Sequence, residues 1–410
     1  MKILIATAVY YPQINGVAVF SHNLAMGLAK RGHEVVVVCP SQTGKNYSRM
    51  TDGVRVEHLK SIDVKVYPDQ IHDVPNKKRK FGIKWPRLFY KHGFRASVFP
   101  GREIREILES FRPDVVHVQV SDPIGLSVVK WARKLDIPVV TTEHNQPEVL
   151  TESLKMPRAI KRGANAVLNA YFRNRQNKSD FVTMPTERAV RDLLGEREVR
   201  VPIAAISNGV DLVNFKPGKA SQEIYQKYKI AADKPTVLYV GRVDPEKKVG
   251  LVIEAFLKAK VDEAQLVVVG DGVDRIKLEN KYASMSNIRI IGKVLPPDLY
   301  ELYKIGDVFV TASPIETQGI VLIEAAATGL PLIAVDKGAV SEVCHDSENG
   351  FLCEPGSVAE IAAAIRKILS DDKLREKFSK KSLEIAKEHD FETTLDRFIN
   401  IYNKVIQDKP

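Results

Sequence analysis

The sequence DVFVTASPIETQGIVLIEAAATGLPLIAV, residues 307–335, contains an apolar run at each end and a helical stretch in the middle. The runs 307–312 and 330–335 have the length and composition of buried strands. The stretch 319–328 between them has the length of a helix. A strand, a helix and a second strand in this order are typical of parallel strands joined by a crossover helix. We therefore predict an α/β fold.

The same alternation extends along the rest of the chain. Further strands are predicted at 2–8, 34–39, 114–119, 137–142, 236–241, 264–270 and 287–291, and helices at 17–30, 123–135, 250–259, 273–284, 297–305, 358–369 and 391–406. The pattern restarts after residue 205, where the sequence SNGVD is turn-forming. We therefore predict two Rossmann-like, doubly wound domains, residues 1–205 and 206–390, and a last helix within 391–410. The expected active site is the cleft between the domains.

Composition excludes several classes of protein. The chain of 410 residues is 44% hydrophobic and 27% charged, as in ordinary globular proteins, so fibrous and disordered chains are excluded. Without an uninterrupted apolar run of membrane-spanning length, no transmembrane helix is expected. The cysteines Cys39, Cys344 and Cys353 are odd in number and lack CxxC spacing, which favours a reducing cytosol over a disulfide framework or a zinc site.

Positive charge is concentrated in the first half of the chain. Residues 1–210 contain 33 Lys and Arg against 20 Asp and Glu. The stretch 77–105 has ten basic residues and one acidic residue, with six aromatic residues among them, and the stretch 155–178 has seven basic residues and no acidic residue. Aromatic residues beside Lys and Arg suit an anionic membrane surface. They also suit single-stranded nucleic acid, whose bases stack on aromatic rings. The third possibility is that the basic residues form an ordinary solvated surface, and charge alone does not decide among the three.

Two glutamates, Glu316 and Glu324, are separated by seven residues within the stretch described first. A carboxylate at position 324 lies inside an apolar helix, where it is costly unless it meets hydrogen-bond donors. Sugar hydroxyls are suitable donors, and a buried Arg or Lys is the alternative. The N–H groups of Gly319 and Ile320 at the start of this helix can hold a phosphate. Acceptors for sugar hydroxyls beside an anion site suit a nucleotide sugar.

Three further positions carry candidate chemistry. Arg242 and Lys247 share a loop after a predicted strand, where two cations can neutralise a diphosphate, although a solvated charged loop is the alternative. Gly16 opens the first helix, where glycine lets the backbone approach a phosphate or simply makes a tight turn. His144 follows a predicted strand, so it is a candidate functional residue. The alternative is a histidine with a purely structural role.

Taken together, these motifs resemble a known family. Glu316-x7-Glu324, Gly241-Arg242 with Lys247, and SNGVD at 207–211 are similar to the retaining nucleotide-sugar glycosyltransferases of the family-4 type. The resemblance implies the B-type glycosyltransferase fold of two Rossmann-like domains. It also implies that Glu324 binds the ribose, that Glu316 binds the transferred sugar, and that Arg242 and Lys247 stabilise the leaving diphosphate.

The resemblance assigns roles to residues outside this motif as well. It implies that Gly16 lies under the diphosphate and that His144 touches the donor sugar. It implies that the strand end 291–294, including Val294, contacts the nucleobase, and that the last helix returns to the N-terminal domain. Because Asp-x-Asp is absent from the sequence, we expect neither an obligatory metal ion nor another cofactor.

Sequence details around Gln318 and His144 narrow the expected acceptor. Most of the family has Phe where this chain has Gln318, and the sequences ETQG and HNQPE resemble the subgroup that glycosylates membrane lipids such as diacylglycerol. We therefore expect a retaining hexosyltransferase that uses UDP-glucose or UDP-galactose. It is expected to be cytoplasmic, peripheral on the inner face of the cell membrane, with an anionic membrane surface as partner and no nucleic acid.

Four alternatives remain. The same catalysis can act on a soluble sugar phosphate or glucan, or it can transfer mannose from GDP-mannose to a lipid. A nucleotide-sugar epimerase would have the same two-domain architecture but would need no acceptor. A nucleic-acid-binding protein would use the basic half, but this reading leaves Glu316 and Glu324 unexplained.

Overall fold

The computed structural model describes residues 1–11, 15–64, 94–119, 122–144, 163, 170, 174, 176–196 and 199–409. The chain divides into two compact units, Met1–Ile206 with Leu395–Pro410, and Ser207–Thr394. Most of the two basic stretches, including Lys77, Lys78, Arg79 and Lys80, lies outside the described residues.

The first unit is built on a large sheet whose central strand is the first of the chain. The strands are β1 (Lys2–Ala6), β2 (Glu34–Pro40), β3 (Tyr47–Thr51), β4 (Val54–Leu59), β5 (Ser61–Val64), β6 (Phe94–Ser97), β7 (Val115–Val118), β8 (Val139–Thr142), β9 (Phe181–Met184) and β10 (Ile203–Ala205). The helices are α1 (Gly16–Lys30), α2 (Gly101–Phe111), α3 (Pro123–Lys134) and α4 (Glu187–Glu196). The main sheet has the order β10-β9-β8-β7-β1-β2-β4-β3, and β5 and β6 form a separate antiparallel ribbon.

One strand of this sheet departs from the purely parallel arrangement expected from the sequence. β3 pairs antiparallel with β4, and Asp52 and Gly53 join them with φ of 47° and 83°. Two consecutive residues with positive φ make the tight turn that suits the twist of a hairpin, and Asp-Gly is a preferred pair for it. The remaining neighbours in the main sheet are parallel.

The second unit contains a six-stranded sheet in which every described pair is parallel. Its strands are β11 (Thr236–Val240), β12 (Gln265–Val269), β13 (Ile288–Gly292), β14 (Val308–Val310), β15 (Leu332–Val335) and β16 (Gly350–Cys353). Its helices are α5 (Gln222–Tyr228), α6 (Val249–Ala259), α7 (Arg275–Tyr282), α8 (Asp298–Tyr303), α9 (Ile320–Ala327), α10 (Val358–Ser370) and α11 (Asp372–Lys387), and the last helix of the chain is α12 (Phe391–Gln407). The order β13-β12-β11-β14-β15-β16 places β11 beside β14.

Both faces of this second sheet are covered. Along β11, Val237 and Tyr239 pack in one apolar cluster, whereas Leu238 and Val240 pack in another. Successive side chains of a strand point to opposite faces, so the two clusters lie on opposite sides of the sheet. Helices α6 and α10 contribute to the first cluster and α9 to the second, which is the doubly wound arrangement that the alternating pattern predicts.

Glycines make the close approach at the carboxyl ends of two central strands possible. Gly241 follows β11 with φ of 152°, and Gly270 follows β12 with φ of 148°. A Cβ atom on Gly270 would lie 1.7 Å from the carbonyl oxygen of Gly241, so a side chain does not fit there. These backbones therefore meet at the sheet edge where ligands of open α/β sheets bind. Among the described residues, none of the helices combines the length and the hydrophobicity of a membrane-spanning segment.

Candidate active site

The loop between β14 and α9 carries Glu316 and is braced by its neighbours. The carbonyl oxygen of Glu316 accepts a hydrogen bond from the backbone N–H of Ala339 at 3.3 Å. A Cβ atom on Gly338 would lie 2.9 Å from that same oxygen, so only glycine allows this approach. The hydroxyl of Ser313 donates to the carbonyl oxygen of Ile315 at 3.1 Å. These contacts hold the backbone of the loop at Glu316 and at the residue before it.

Lys247 and Glu316 form an ion pair. Lys247 ends the short 3₁₀ turn Pro245–Lys247 after β11, and its Nζ donates to Oε1 of Glu316 at 2.6 Å. Their side chains are only 19% and 14% exposed. Because β11 and β14 are neighbours in the sheet, the loops that follow them meet at one edge. The pair is weakly screened by solvent, and it brings together two residues for which the sequence suggested the same ligand.

Arg242 is also paired with carboxylates, which the sequence analysis did not foresee. Its guanidinium donates to Asp244 and to Glu246. Asp244 is nearly buried and accepts a further hydrogen bond from the backbone N–H of Val273 at 3.0 Å. Burial raises the pKa of Asp244, whereas the neighbouring Arg242 acts in the opposite direction. The Asp and Glu that follow Arg242 in the sequence were the available signal for these contacts.

Glu324 is the fifth of the eight residues of α9, and its side chain is partly buried. The hydroxyl of Tyr303, a fully buried residue at the end of α8, donates to its Oε2. Burial raises the pKa of Glu324 to about 7, and the hydrogen bond from Tyr303 opposes that shift. The described partner is thus a neutral hydroxyl, and the Arg or Lys alternative is not observed among the described contacts. No sequence pattern pointed to Tyr303, which lies 21 residues before Glu324.

The other donor-site candidates of the second unit lie at the same edge of the sheet. Gly319 is the residue before α9 and has a left-handed φ of 76°, and Ile320 is the first residue of the helix. A Cβ atom on Gly319 would lie 2.9 Å from Cδ1 of Leu322. Both the left-handed backbone and this close contact therefore favour glycine at the position. Val294 follows β13, and Val294 and Ile320 are partly buried against the same apolar cluster. All these residues therefore follow the carboxyl ends of β11, β13 and β14.

His144 belongs to the first unit, where it follows β8 and is 8% exposed. Its Nε2 lies 2.8 Å from Oε1 of Gln119. A carboxamide oxygen only accepts hydrogen bonds, so this contact assigns the proton to Nε2 and leaves Nδ1 as an acceptor. Burial lowers the pKa of His144 to about 4, so the ring is neutral at pH 7.

A second buried histidine, His117, lies next to this group and was missed by the sequence analysis. Its Nδ1 lies 2.7 Å from the hydroxyl of Tyr402 and its Nε2 lies 2.7 Å from Oγ1 of Thr142. The amide nitrogen of Gln119 approaches the same ring at 3.2 Å. His144 is therefore held by a buried polar network in the first unit. A histidine in the apolar strand β7 was the signal that could have indicated it.

Gly16 is the first residue of α1, as the sequence suggested, and also belongs to the first unit. The side chain of Asn15 caps this helix by accepting from the N–H of Ala18 at 2.9 Å. Residues 12–14, which stand between β1 and α1 in the sequence, lie outside the described residues. Within the described parts of the chain, no group of three or more His, Cys, Asp or Glu side chains is arranged to hold a metal ion.

Two family models match successive parts of the chain. The model of Glycosyltransferase Family 4 matches residues 14–214, and that of the group 1 glycosyl transferases matches residues 220–384. The alpha-monoglucosyldiacylglycerol synthase of Streptococcus pneumoniae is 28% identical over 86% of this chain and 75% of its own length. A GDP-mannose-dependent alpha-mannosyltransferase of Mycolicibacterium smegmatis is 28% identical over 90% of this chain and 89% of its own length.

Solved structures match the whole fold. Sucrose-phosphate synthase from Thermosynechococcus elongatus superposes with a TM-score of 0.75 and 18% identity, over 99% of this chain and 100% of that one. Anabaena HepE in complex with UDP-glucose superposes with a TM-score of 0.70 and 17% identity, over 98% of this chain and 100% of that one. The protein therefore has the B-type fold of two Rossmann-like domains, and it is a hexosyltransferase that belongs to the glycosyltransferases of the family-4 type.

Proposed function

We propose that this glycosyltransferase moves a hexose, with retention of configuration, from UDP-glucose or UDP-galactose to a membrane lipid such as diacylglycerol. The observation that carries the proposal is the placement of the Lys247–Glu316 pair at the same sheet edge as Glu324 and the start of α9. This set combines a cation, two carboxylates and a helix N-terminus, which are the groups that a sugar diphosphate needs.

Each group has a distinct task in the proposed reaction. Glu324 accepts hydrogen bonds from the ribose hydroxyls, and Glu316 accepts one from the transferred hexose. The ammonium of Lys247, the guanidinium of Arg242 and the N–H groups at Gly319 and Ile320 stabilise the charge that develops on the leaving diphosphate. Since these charges come from the protein, the proposal includes no obligatory metal ion.

The proposed reaction needs no reactant besides the nucleotide sugar and the lipid. The bond between the anomeric carbon and the diphosphate oxygen breaks, and a lipid hydroxyl forms the new bond from the same face of the sugar. The proton of that hydroxyl passes to the leaving diphosphate. His144 is neutral and has Nδ1 available as an acceptor, which suits a sugar hydroxyl better than an anionic group.

Exposed apolar residues support the lipid acceptor. Ile62, Val98 and Phe99 are 53%, 46% and 91% exposed, and they lie on or next to the β5–β6 ribbon. The ribbon brackets residues 65–93, whose sequence has eight Lys and Arg against two Asp and Glu. Apolar side chains beside basic residues suit the headgroup region of an anionic membrane. The names of the diacylglycerol glycosyltransferases among the relatives point to the same acceptor class.

GDP-mannose-dependent mannosyl transfer to a lipid is the second candidate. It is favoured by the mannosyltransferase of M. smegmatis, which this chain matches over 89% of that protein's length. The residues that face the diphosphate would serve either donor, so the choice between the two depends on the nucleobase and the hexose.

A screen of donors and acceptors tests the proposed function. UDP- and GDP-hexoses are incubated with the protein and a total lipid extract, with soluble sugars, or without acceptor, all in the presence of EDTA. The products are identified by mass spectrometry. We expect a hexosylated lipid from a UDP-hexose. A hexosylated lipid from GDP-mannose supports the second candidate. Transfer only to soluble sugars, or an isomerised donor without acceptor, would rule out both.

The pKa of Glu324 predicts a pH-dependent affinity for the donor. Ribose hydroxyls bind the carboxylate better than the protonated acid, so affinity for UDP-glucose should fall as the pH is lowered through about 7. Glu324→Gln should bind about 1.5–3 kcal/mol more weakly, because a charge-assisted hydrogen bond is lost. It should also lose this pH dependence. Calorimetric titration between pH 6 and 8 measures both effects, and a flat profile for the unaltered protein would contradict the assigned role.

Membrane docking through the ribbon is tested at Phe99. Insertion of one aromatic side chain contributes roughly 1.5–3 kcal/mol, so Phe99→Ser should lower binding to anionic phosphatidylglycerol vesicles about tenfold or more. The matched control is Val213→Ser, because Val213 is 74% exposed and belongs to the second unit. Co-sedimentation measures binding. Equal binding by the two variants would show that Phe99 does not contact the membrane.

A further inference from the structure

Gln318 lies between two donor-site residues, Glu316 and Gly319, yet its own side chain is 3% exposed. Both ends of its amide are used. Nε2 donates to the hydroxyl of Ser207 at 2.7 Å, and Oε1 accepts from the backbone N–H of Asn208 at 3.2 Å. Gln318 therefore connects the loop before α9 to a turn more than 100 residues earlier in the chain.

Ser207 is a well-fixed partner. Its hydroxyl oxygen also accepts from the N–H of Gly209 at 3.1 Å and lies 2.9 Å from Nδ1 of His389. A serine hydroxyl has two acceptor positions and one proton. Gln318 and Gly209 fill the acceptor positions, and the proton is directed to His389. The carbonyl oxygen of Ser207 accepts from Oγ1 of Thr394 at 3.0 Å, so side chain and backbone are both held.

The turn itself is tightly packed. Gly209 has a φ of 72°, and a Cβ atom there would lie 2.7 Å from Oγ1 of Thr394 and 2.8 Å from Cα of Phe391. Backbone hydrogen bonds join Val210 to His389 at 2.8 Å and to Phe391 at 3.1 Å. The turn is thus anchored to the residues that follow α11 and to the first turn of α12 without help from Gln318.

We propose that Gln318 is a positioning residue for sugar transfer. Its amide holds the loop that carries Glu316 and Gly319 against the fixed Ser207–Asn208 turn, so that the carboxylate and the helix start keep their places when the donor binds. The inference rests on the proposed function in one respect, namely that this sheet edge binds the donor. A displacement of about 1 Å in such a site can lower the rate as much as 100-fold.

Gln318→Leu tests the inference because it removes both hydrogen bonds while keeping a side chain of similar size. The matched control is Gln265→Leu. Gln265 is also buried, at 6% exposure, and its amide also bonds a backbone N–H, at Ala231, and a hydroxyl, at Thr236. It begins β12, at the opposite end of the sheet from the site. A purely structural role predicts the same losses for both variants.

Two measurements separate the outcomes. Hydrogen exchange of the peptide covering residues 313–320, measured by mass spectrometry, should become at least tenfold faster in Gln318→Leu and stay unchanged in Gln265→Leu. Calorimetric affinity for UDP, and the rate of hydrolysis of UDP-glucose, should fall about ten- to 100-fold in Gln318→Leu alone. Equal effects of the two variants on exchange and on UDP affinity would overturn the inference.

Ser207→Ala shows whether Gln318 acts through this partner. If it does, Ser207→Ala should slow hydrolysis, and the double variant should be hardly slower than Gln318→Leu. If the losses of the two single variants add up in the double variant, Gln318 does not act through Ser207. If the unaltered protein binds no UDP, the proposed donor is wrong, but the exchange measurement still decides whether Gln318 holds the loop.

Discussion

The ion pair between Lys247 and Glu316 is the contact on which the candidate site depends. It joins the loops after β11 and β14, which is possible because these strands are parallel neighbours. Partial burial of the pair costs free energy because both charges lose bound water. The attraction between the ammonium and the carboxylate offsets this cost only when their geometry is good. The two surrounding glycines, Gly338 and Gly319, allow the backbone path that brings Glu316 to Lys247.

Charge compensation is the common feature of the groups at this edge. Lys247 is matched by Glu316, Arg242 by Asp244 and Glu246, and Glu324 is met by the hydroxyl of Tyr303. A sugar diphosphate brings two negative phosphates and several hydroxyls, so it offers new partners to cations and carboxylates alike. Groups that are already in place need little reorganisation when charge develops in the transition state, and this is the main source of electrostatic catalysis.

Local patterns explain how much of this molecule could be predicted from its sequence. The alternation of apolar runs and helices predicted the doubly wound fold. The resemblance predicted that Glu316, Glu324, Arg242 and Lys247 serve one ligand, and the structure brings Lys247 and Glu316 into contact. The β3–β4 hairpin was missed although Asp52-Gly53 is a good turn signal, because β3 itself is mostly exposed and carries no apolar pattern. The ends of several predicted strands and helices differ from the observed ends by one or two residues.

Contacts between distant segments could not be predicted in the same way. Tyr303 reaches Glu324, Gln318 reaches Ser207, and Gln119 reaches His144 only after the helices and strands have packed. Tyr303 and Gln119 are neutral partners of titratable side chains, and Gln318 and Ser207 are both neutral. None of the three pairs has a characteristic spacing in the sequence. Their roles follow from burial, because a buried polar group needs a hydrogen-bond partner wherever the fold can supply one.

The turnover of Lys247→Ala at saturating UDP-hexose tests whether the Lys247–Glu316 pair serves the leaving diphosphate. If it does, kcat should fall roughly 10²–10³-fold, whereas the exposed Lys258→Ala on α6 should stay near the original rate. The loss should exceed any loss of donor affinity, because the charge on the diphosphate is greatest in the transition state. Near-normal turnover of Lys247→Ala would show that the pair does not stabilise the leaving diphosphate.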